Sequence, residues 1–360
     1  MAHTATLAPS QAESARYVGR LRLWLLAVAA LVFLMVSVGG ATRLTGSGLS
    51  ITEWQPIMGT LPPLTDDDWQ QAFAKYRQIP QYHHVNRNMT LDGFKFIFWW
   101  EWAHRLLGRL IGVVFLAPFL YFLAAGQIPR RLTGRLAAIF VLGALQGAAG
   151  WYMVSSGLAD RLEVSHYRLA LHLGLAILIL GALIWVALSL GTETDRGVRS
   201  PPAGAQAAAA IVALVFVQIV LGAFVAGLKA GAGYNTWPLM DGRLIPNGLG
   251  AMQPWYRNLF ENALTVQFNH RLVAYVLVAA AAWQAWALGT RAHASPARIS
   301  AAVLAAAVLG QAALGIWTLL AQVPLALGLA HQAGAAAVFA IAVWHLHVVR
   351  HPRPLTGRAP

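Results

Sequence analysis

Eight apolar stretches, each long enough to cross a lipid bilayer, constrain this chain more than any other feature. A hydrocarbon core about 30 Å thick needs roughly 20 apolar residues per helix. Stretches of that kind run over 21–40, 95–124, 134–155, 164–190, 205–228, 262–288, 299–320 and 324–349. The sequence therefore predicts an all-α integral membrane protein of eight transmembrane helices. Composition agrees, with 58% of residues hydrophobic and 11% charged, against about 25% charged in a soluble domain. So little charge cannot cover a soluble surface of this size. The run Leu23–Val38 is followed by no clean small-residue cleavage site, so it reads as a retained first helix rather than a secretory signal.

An even number of spans returns both termini to one side. Arg16, Arg20 and Arg22 precede the first span, and Arg130, Arg131 and Arg135 follow the second. Arg196, Arg199, Arg291 and Arg298 fall in later loops of that side, and Arg350, Arg353 and Arg358 in the tail. Short loops of the other face have fewer, namely Arg161, Arg168, Lys229, Arg243 and Arg257. Basic residues favour the cytoplasmic side, so both termini are expected there. The formal charge of +13 is thus scattered among loops. With no contiguous basic patch, it fits a membrane-lipid environment and excludes a nucleic-acid partner.

Four local patterns recur in the same order, which marks an internal repeat. Trp54-Gln-Pro-Ile-Met-Gly-Thr-Leu-Pro62-Pro63 after the first helix resembles Trp237-Pro-Leu-Met-Asp-Gly-Arg-Leu-Ile-Pro246 after the fifth. His104-Arg105-Leu106 in the second helix matches His270-Arg271-Leu272 in the sixth. Gln146-x-x-x-Gly150 in the third matches Gln311-x-x-x-Gly315 in the seventh, and His172 in the fourth matches His331 in the eighth. The expected architecture is two pseudo-symmetric four-helix bundles related as a parallel repeat. An arm at 1–20 precedes the N-terminal half at 21–190, which includes a long outer segment at 41–94. A Gly/Thr/Pro-rich linker at 191–204 leads to the C-terminal half at 205–349 and a tail at 350–360. Thr65-Asp66-Asp67-Asp68 has the form of a capped helix start and predicts a surface helix over about 66–78.

Cysteine is absent, so thiolate metal sites and disulfides are excluded and the 12 histidines lead any metal chemistry. His104, His172, His270 and His331 lie inside even-numbered helices at repeat-equivalent places and similar depth. Two imidazoles at one level of a four-helix bundle can ligate a porphyrin iron from opposite faces. The small residues Gly108, Gly174, Ala274 and Gly334 leave room for a macrocycle. A lone intramembrane histidine is otherwise an interhelical hydrogen-bonding residue, but four in a doubled pattern point to two heme sites. His83 and His84 read as solvated loop residues, His166 as interfacial, and His345 and His347 as solvated or at the lipid headgroups. His3, His293 and His351 carry no signal.

The halves differ in one respect. Glu101 stands three residues before His104, where Gln267 stands before His270. Positions three apart share a helix face, so Glu101 is expected to point into the His104 cavity, the alternative being an ion pair with an arginine. One ionisable group and one neutral amide suit one reactive site and one electron-transferring or structural site. Arg105 and Arg271 suit heme propionates or snorkelling toward the interface.

These residues resemble the heme A synthase family. The matching stretches are Gly39-Gly40-Ala-Thr42-Arg43-Leu-Thr-Gly-Ser-Gly48-Leu-Ser-Ile-Thr-Glu53-Trp54, Glu101-Trp-Ala-His104-Arg105-Leu-Leu-Gly108-Arg109, Asn235-Thr-Trp237-Pro-Leu-Met-Asp241-Gly242, Phe268-Asn-His270-Arg271 and Leu329-Ala-His331-Gln332. They run from about residue 20 to about 350, nearly the whole chain. The resemblance implies an oxidoreductase that oxidises a methyl group of heme O to a formyl group, giving heme A for respiratory terminal oxidases. It implies a multi-pass protein of the bacterial cell inner membrane. His104 and His172 would flank the substrate heme, and His270 and His331 would be the axial ligands of heme b. Glu101 would be the catalytic acidic residue, either a proton relay or a stabiliser of a cationic intermediate at the methyl carbon before water adds. Heme O synthase, terminal-oxidase assembly factors and an electron-transfer partner would be its company.

Many bacterial members carry a cysteine pair in an outer loop, which this chain lacks. Thiol-based electron delivery is thereby excluded, and cysteine-poor members are expected of the mitochondrial-like branch. Two rivals remain open. A di-heme b electron carrier linked to quinol explains the four histidines but not the Glu101/Gln267 difference. A transporter built of repeats would place its site at broken helices near the midplane, and none is evident.

Overall fold

The bilayer requirement that shaped the sequence also shapes the fold. A computed structural model describes residues 11–55, 58–158, 162–190, 204–290 and 295–352. Among these residues eight helices are long and apolar enough to cross a membrane. They are α1 (Gln11–Leu44), α2 (Leu91–Ala124), α3 (Arg130–Leu158), α4 (His166–Ser189), α5 (Ala205–Gly227), α6 (Ala263–Gly289), α7 (Pro296–Leu320) and α8 (Leu325–Arg350). No strand occurs among the described residues. Several helices run past their predicted apolar stretches, because hydropathy registers only the part that suits lipid while helical hydrogen bonding continues into polar turns. Caps set some of these ends. The Thr90 side chain accepts from the Gly93 N–H before α2, Asn262 accepts from Leu264 and Thr265 before α6, and Ser295 accepts from Arg298 before α7.

The first group of four helices in chain order, α1–α4, and the second, α5–α8, meet where α4 lies on α5 and α8 and where α1 lies on α8. Within the second group α6 and α7 pack extensively, whereas their counterparts α2 and α3 touch sparsely. A continuous apolar core, including Leu25, Val28, Leu136, Leu183, Ile211 and Ala342, spans both groups. Two arginines of α1 are absorbed by the carbonyl ends of neighbouring helices. Arg22 donates to Ala187 O at 3.1 Å and to Leu190 O at the end of α4, and Arg43 donates to Ala226 O at the end of α5. Each cation thus meets the negative pole of a helix dipole. Gln332 of α8 donates to Val36 O of α1 at 2.6 Å, seated over Gly40.

The segment between α1 and α2 forms its own small core. The expected surface helix is present as Asp66–Tyr76, with the capping box that its sequence spelled: the Asp68 N–H donates to Thr65 Oγ1 at 3.2 Å and the Thr65 N–H to Asp68 Oδ2 at 3.0 Å. Trp69, Phe73 and Tyr76 of this helix pack with Leu49 and with Phe94, Ile97 and Phe98 at the start of α2. The segment is therefore seated on the end of α2 that bears Glu101. Arg161, Arg196, Arg199, Arg291, Arg353, Arg358, His3, His293, the repeat residues Pro56 and Ile57, and nearly all of the 191–204 linker lie outside the described residues.

Candidate functional site

Each of the four singled-out histidines rests on a glycine of the preceding helix. A Cβ built at Gly39 of α1 would stand 3.1 Å from His104 Nε2 of α2, and one at Gly150 of α3 would stand 3.0 Å from His172 Cε1 of α4. In the other group the corresponding pairs are Gly222 of α5 with His270 of α6 at 3.2 Å, and Gly315 of α7 with His331 of α8 at 2.7 Å. The imidazoles thus lie flush against bare backbone, with no room for a side chain. The fold therefore seats all four histidines in the same way, each on a glycine of the helix before its own.

Glutamines attend three of the four rings. Gln146 Nε2 lies 3.1 Å from His172 Nδ1, Gln218 Nε2 lies 3.2 Å from His270 Nε2, and Gln311 Nε2 lies 3.0 Å from His331 Nδ1. Gln218 and Gln311 also donate to the backbone carbonyls of His270 and His331, at 3.0 and 2.7 Å. Reading the sequence missed Gly222 and Gln218 altogether and named Gly39 only within a motif of the resemblance. It found Gln146, Gly150, Gln311 and Gly315 only as repeat markers. The detectable signal was spacing, since each glycine stands one turn after residue 35, 146, 218 or 311.

The acidic position has a definite setting. Glu101 is buried, 2% exposed. Its Oε2 accepts from Ser50 Oγ and from the Ile51 N–H, both at 2.8 Å, and its Oε1 accepts from Arg105 Nη2 at 2.5 Å. Of the two alternatives for this carboxylate, the ion pair is the one present, and the remaining bonds tie it to the segment after α1. Arg105 completes the tie by donating to Ile51 O at 2.7 Å and Glu53 O at 2.9 Å. In the other group Gln267 donates to Ala230 O at 3.0 Å and accepts from Arg271 Nη2 at 2.8 Å, while Arg271 Nη2 also reaches Tyr234 O at 3.1 Å. The two clamps share a design and differ in charge. A cavity of about 320 Å³ opens above the first, lined by Ser50, Ile51, Glu53, Trp102, Arg105 and Arg109 among others.

The donor set fits heme. Buried groups left without a hydrogen-bond partner include His270 Nδ1, Arg271 Nε and Nη1, and the side-chain oxygens of Gln146 and Gln218. A buried imidazole nitrogen beside an uncommitted guanidinium edge matches an iron that takes nitrogen ligands and carries anionic propionates. Arg105, with its loop and carboxylate partners, has less left to offer than Arg271.

Other placements differ from expectation. Gly174 does not border a histidine cavity, because it faces Phe216 and Val220 of α5 at the junction of the two groups. At Gly334 an added Cβ would run into Gln311 Oε1, so this glycine makes room for the glutamine. His345 is fully buried and neither solvated nor at a headgroup. Ser300 Oγ lies 2.9 Å from its Nδ1 and Gln284 Nε2 lies 3.3 Å from its Nε2. His347 is likewise buried, edge-on to Trp185 and stacked on His351 with centroids 4.3 Å apart. Polar partners on α6 and α7 hold His345 in apolar surroundings, which hydropathy along α8 alone does not reveal. His83 and His84 are exposed as expected, and His166 packs on Tyr167 and Phe224 at the mouth of α4.

Fold and site together define a class: a polytopic helical membrane protein with four intramembrane histidines, each seated on a glycine of the preceding helix, and one buried carboxylate, Glu101, three residues before the first of them. The chain belongs to the COX15-CtaA family of cytochrome oxidase assembly proteins, which it matches over residues 22–343. It is 58% identical over 324 residues to a heme A synthase of Parvibaculum lavamentivorans, covering 90% of this chain and 92% of that protein. It is 51% identical over 325 residues to a heme A synthase of Nitrosomonas eutropha, covering 89% and 91%. A Rhodopseudomonas palustris heme A synthase is 54% identical over 343 residues, 92% of each chain.

Proposed function

We propose that the chain is a heme A synthase, an oxidoreductase that converts a methyl group of heme O to a formyl group. The observation that carries this reading is the difference between two otherwise matching clamps, Glu101 with Arg105 against Gln267 with Arg271, in a chain so similar to heme A synthases. In this reading the halves are parallel repeats with both termini cytoplasmic, in a bacterial inner membrane. His104 and His172 flank the substrate heme O in the N-terminal half. His270 and His331 ligate heme b in the C-terminal half, with Arg271 Nε and Nη1 directed to a propionate. Heme b supplies one-electron redox chemistry. Methyl oxidation releases electrons and protons and takes up a water-derived oxygen. Glu101, bonded to Arg105 beneath the cavity of the outer segment, passes those protons outward in this reading. Heme O synthase, oxidase assembly factors and an electron acceptor complete the scheme.

The test is heme extraction from protein purified from cells that make heme O, with chromatographic separation and mass detection. The native protein should yield heme b together with heme O or A. Glu101→Ala should lose heme A while keeping heme b, and His104→Ala should lose the N-terminal heme. Heme b alone in both halves, unaffected by Glu101→Ala, would instead favour a di-heme b electron carrier.

A further inference from the structure

We infer that the glutamines of α3, α5 and α7 are positioning residues for three of the four histidines, and that Met35 in the fourth such place leaves His104 as the side from which the N-terminal half exchanges its heme. The inference rests on reading the histidines as heme ligands and extends it to how firmly each is held. Gly39, Gly150, Gly222 and Gly315 each touch one of the rings. One turn earlier, on the same helix face, stand Met35, Gln146, Gln218 and Gln311. One register position is thus filled four times, by three amides and one thioether.

The four fillings form a gradient. Gln218 and Gln311 each contact both the ring and the backbone carbonyl of their histidine. Gln146 contacts only the ring of His172. Met35 has no N–H to give, and its methyl lies 3.5 Å from where a Cβ on Gly108 would stand, one turn beyond His104. Among the described residues no side chain hydrogen-bonds the His104 ring. A partner on the second ring nitrogen fixes tautomer and ring plane, and losing it costs about 10–100-fold in metal affinity. A ligating ring must donate from that nitrogen, so the amide oxygen is the partner it needs. The oxygen of Gln146 is buried and uncommitted, and turning its amide presents it, whereas Gln218 and Gln311 hold the turn that bears their histidine through its backbone carbonyl.

Helix packing follows the same gradient. α2, which carries His104, touches α3 sparsely, while α6, which carries His270, packs closely on α7. The chain therefore fastens His270 on a helix packed closely against both α5 and α7, and leaves His104 on a helix packed closely against α1 but sparsely against α3. An electron-passing heme must stay in place, whereas a substrate heme must enter and its product must leave.

The experiment follows transfer of heme from the purified, heme-loaded full-length protein to excess apomyoglobin, with mass detection separating heme b from heme O and A. Electron paramagnetic resonance of the ferric protein reports ligand-ring orientation independently of turnover. Met35→Gln should slow release of heme O or A about ten-fold or more while heme b release stays unchanged. Gln218→Met should speed heme b release by a similar factor and shift its low-spin signal. Release unchanged in Met35→Gln and in Gln218→Met, with each histidine→Ala variant still emptying its own site, would overturn the inference alone. Full heme content in His104→Ala and His270→Ala would overturn the ligand reading beneath it. A Gln218→Met protein that merely misfolds empties both sites together, and Met35→Gln then decides by itself.

Discussion

Replacing Glu101 tests how the outer segment is fastened to the bundle. In Glu101→Ala, Ser50 Oγ, the Ile51 N–H and Arg105 Nη2 all lose their acceptor in a place where the Glu101 and Arg105 side chains are 3% and 14% exposed. Breaking a buried pair by removing one partner costs about 3–5 kcal/mol. Arg105 keeps the carbonyls of Ile51 and Glu53, so the lower end applies, about 3 kcal/mol. In Glu101→Gln the amide oxygen can still accept from Arg105, as Gln267 does from Arg271. Its NH2 then faces Ile51 N–H, which cannot turn to accept, and one stranded donor costs about 1–3 kcal/mol. Ser50 escapes, because a hydroxyl can donate elsewhere and accept instead. The assay is hydrogen–deuterium exchange with mass detection on peptides covering 45–55, in detergent. Opening should rise roughly hundred-fold for Ala, since each 1.4 kcal/mol is tenfold, and by an intermediate factor for Gln. Peptides from α7 and α8 should not change. Unchanged exchange of 45–55 in the Ala variant would refute the clamp.

Three further outcomes follow from the same geometry. Gly315→Ala puts a methyl 2.7 Å from His331 Cε1; overpacking of that kind costs about 1–3 kcal/mol, and heme b content should fall while the N-terminal heme is retained. Arg271→Ala should lower heme b retention because Nε and Nη1 are uncommitted, whereas Arg105→Ala should chiefly increase exchange in 45–55; equal heme loss in both would contradict the division. The Thr65 side chain, then the backbone N–H groups of Thr65 and Leu64, hold the Asp68 carboxyl below the usual carboxylate range. A folded pKa below the unfolded one stabilises above the unfolded value, near 4 by ordinary carboxylate values, and that stability is lost as pH falls through the folded value. Helix 66–76 should therefore fray more readily in acid, seen as faster exchange at its first turn under matched-rate conditions, and Asp68→Asn should blunt that dependence.

Much of this protein is written locally. A span must be apolar over a bilayer's thickness, so hydropathy alone located all eight helices. The Thr65–Asp68 capping box involves neighbours three apart and was legible for the same reason. The four histidines stood out because polar groups in hydrocarbon are costly, and the match of His104 and His172 with His270 and His331 paired them by order along the chain. The partners of those residues were not legible. Membrane helices are apolar on most faces, and lipid is as apolar as leucine, so sequence does not announce a helix's rotation or its depth against its neighbour. Only the packed structure decides that Gly39 meets His104, that Gly174 meets Phe216 instead of a histidine cavity, and that His345 is sealed beneath Ser300 and Gln284. The same holds at Glu101. Its position three residues before His104 is a matter of spacing, but its bonds to Ser50 and Ile51 depend on how the chain returns after α1, and that is settled by the core seating Leu49 and the helix Asp66–Tyr76 on α2.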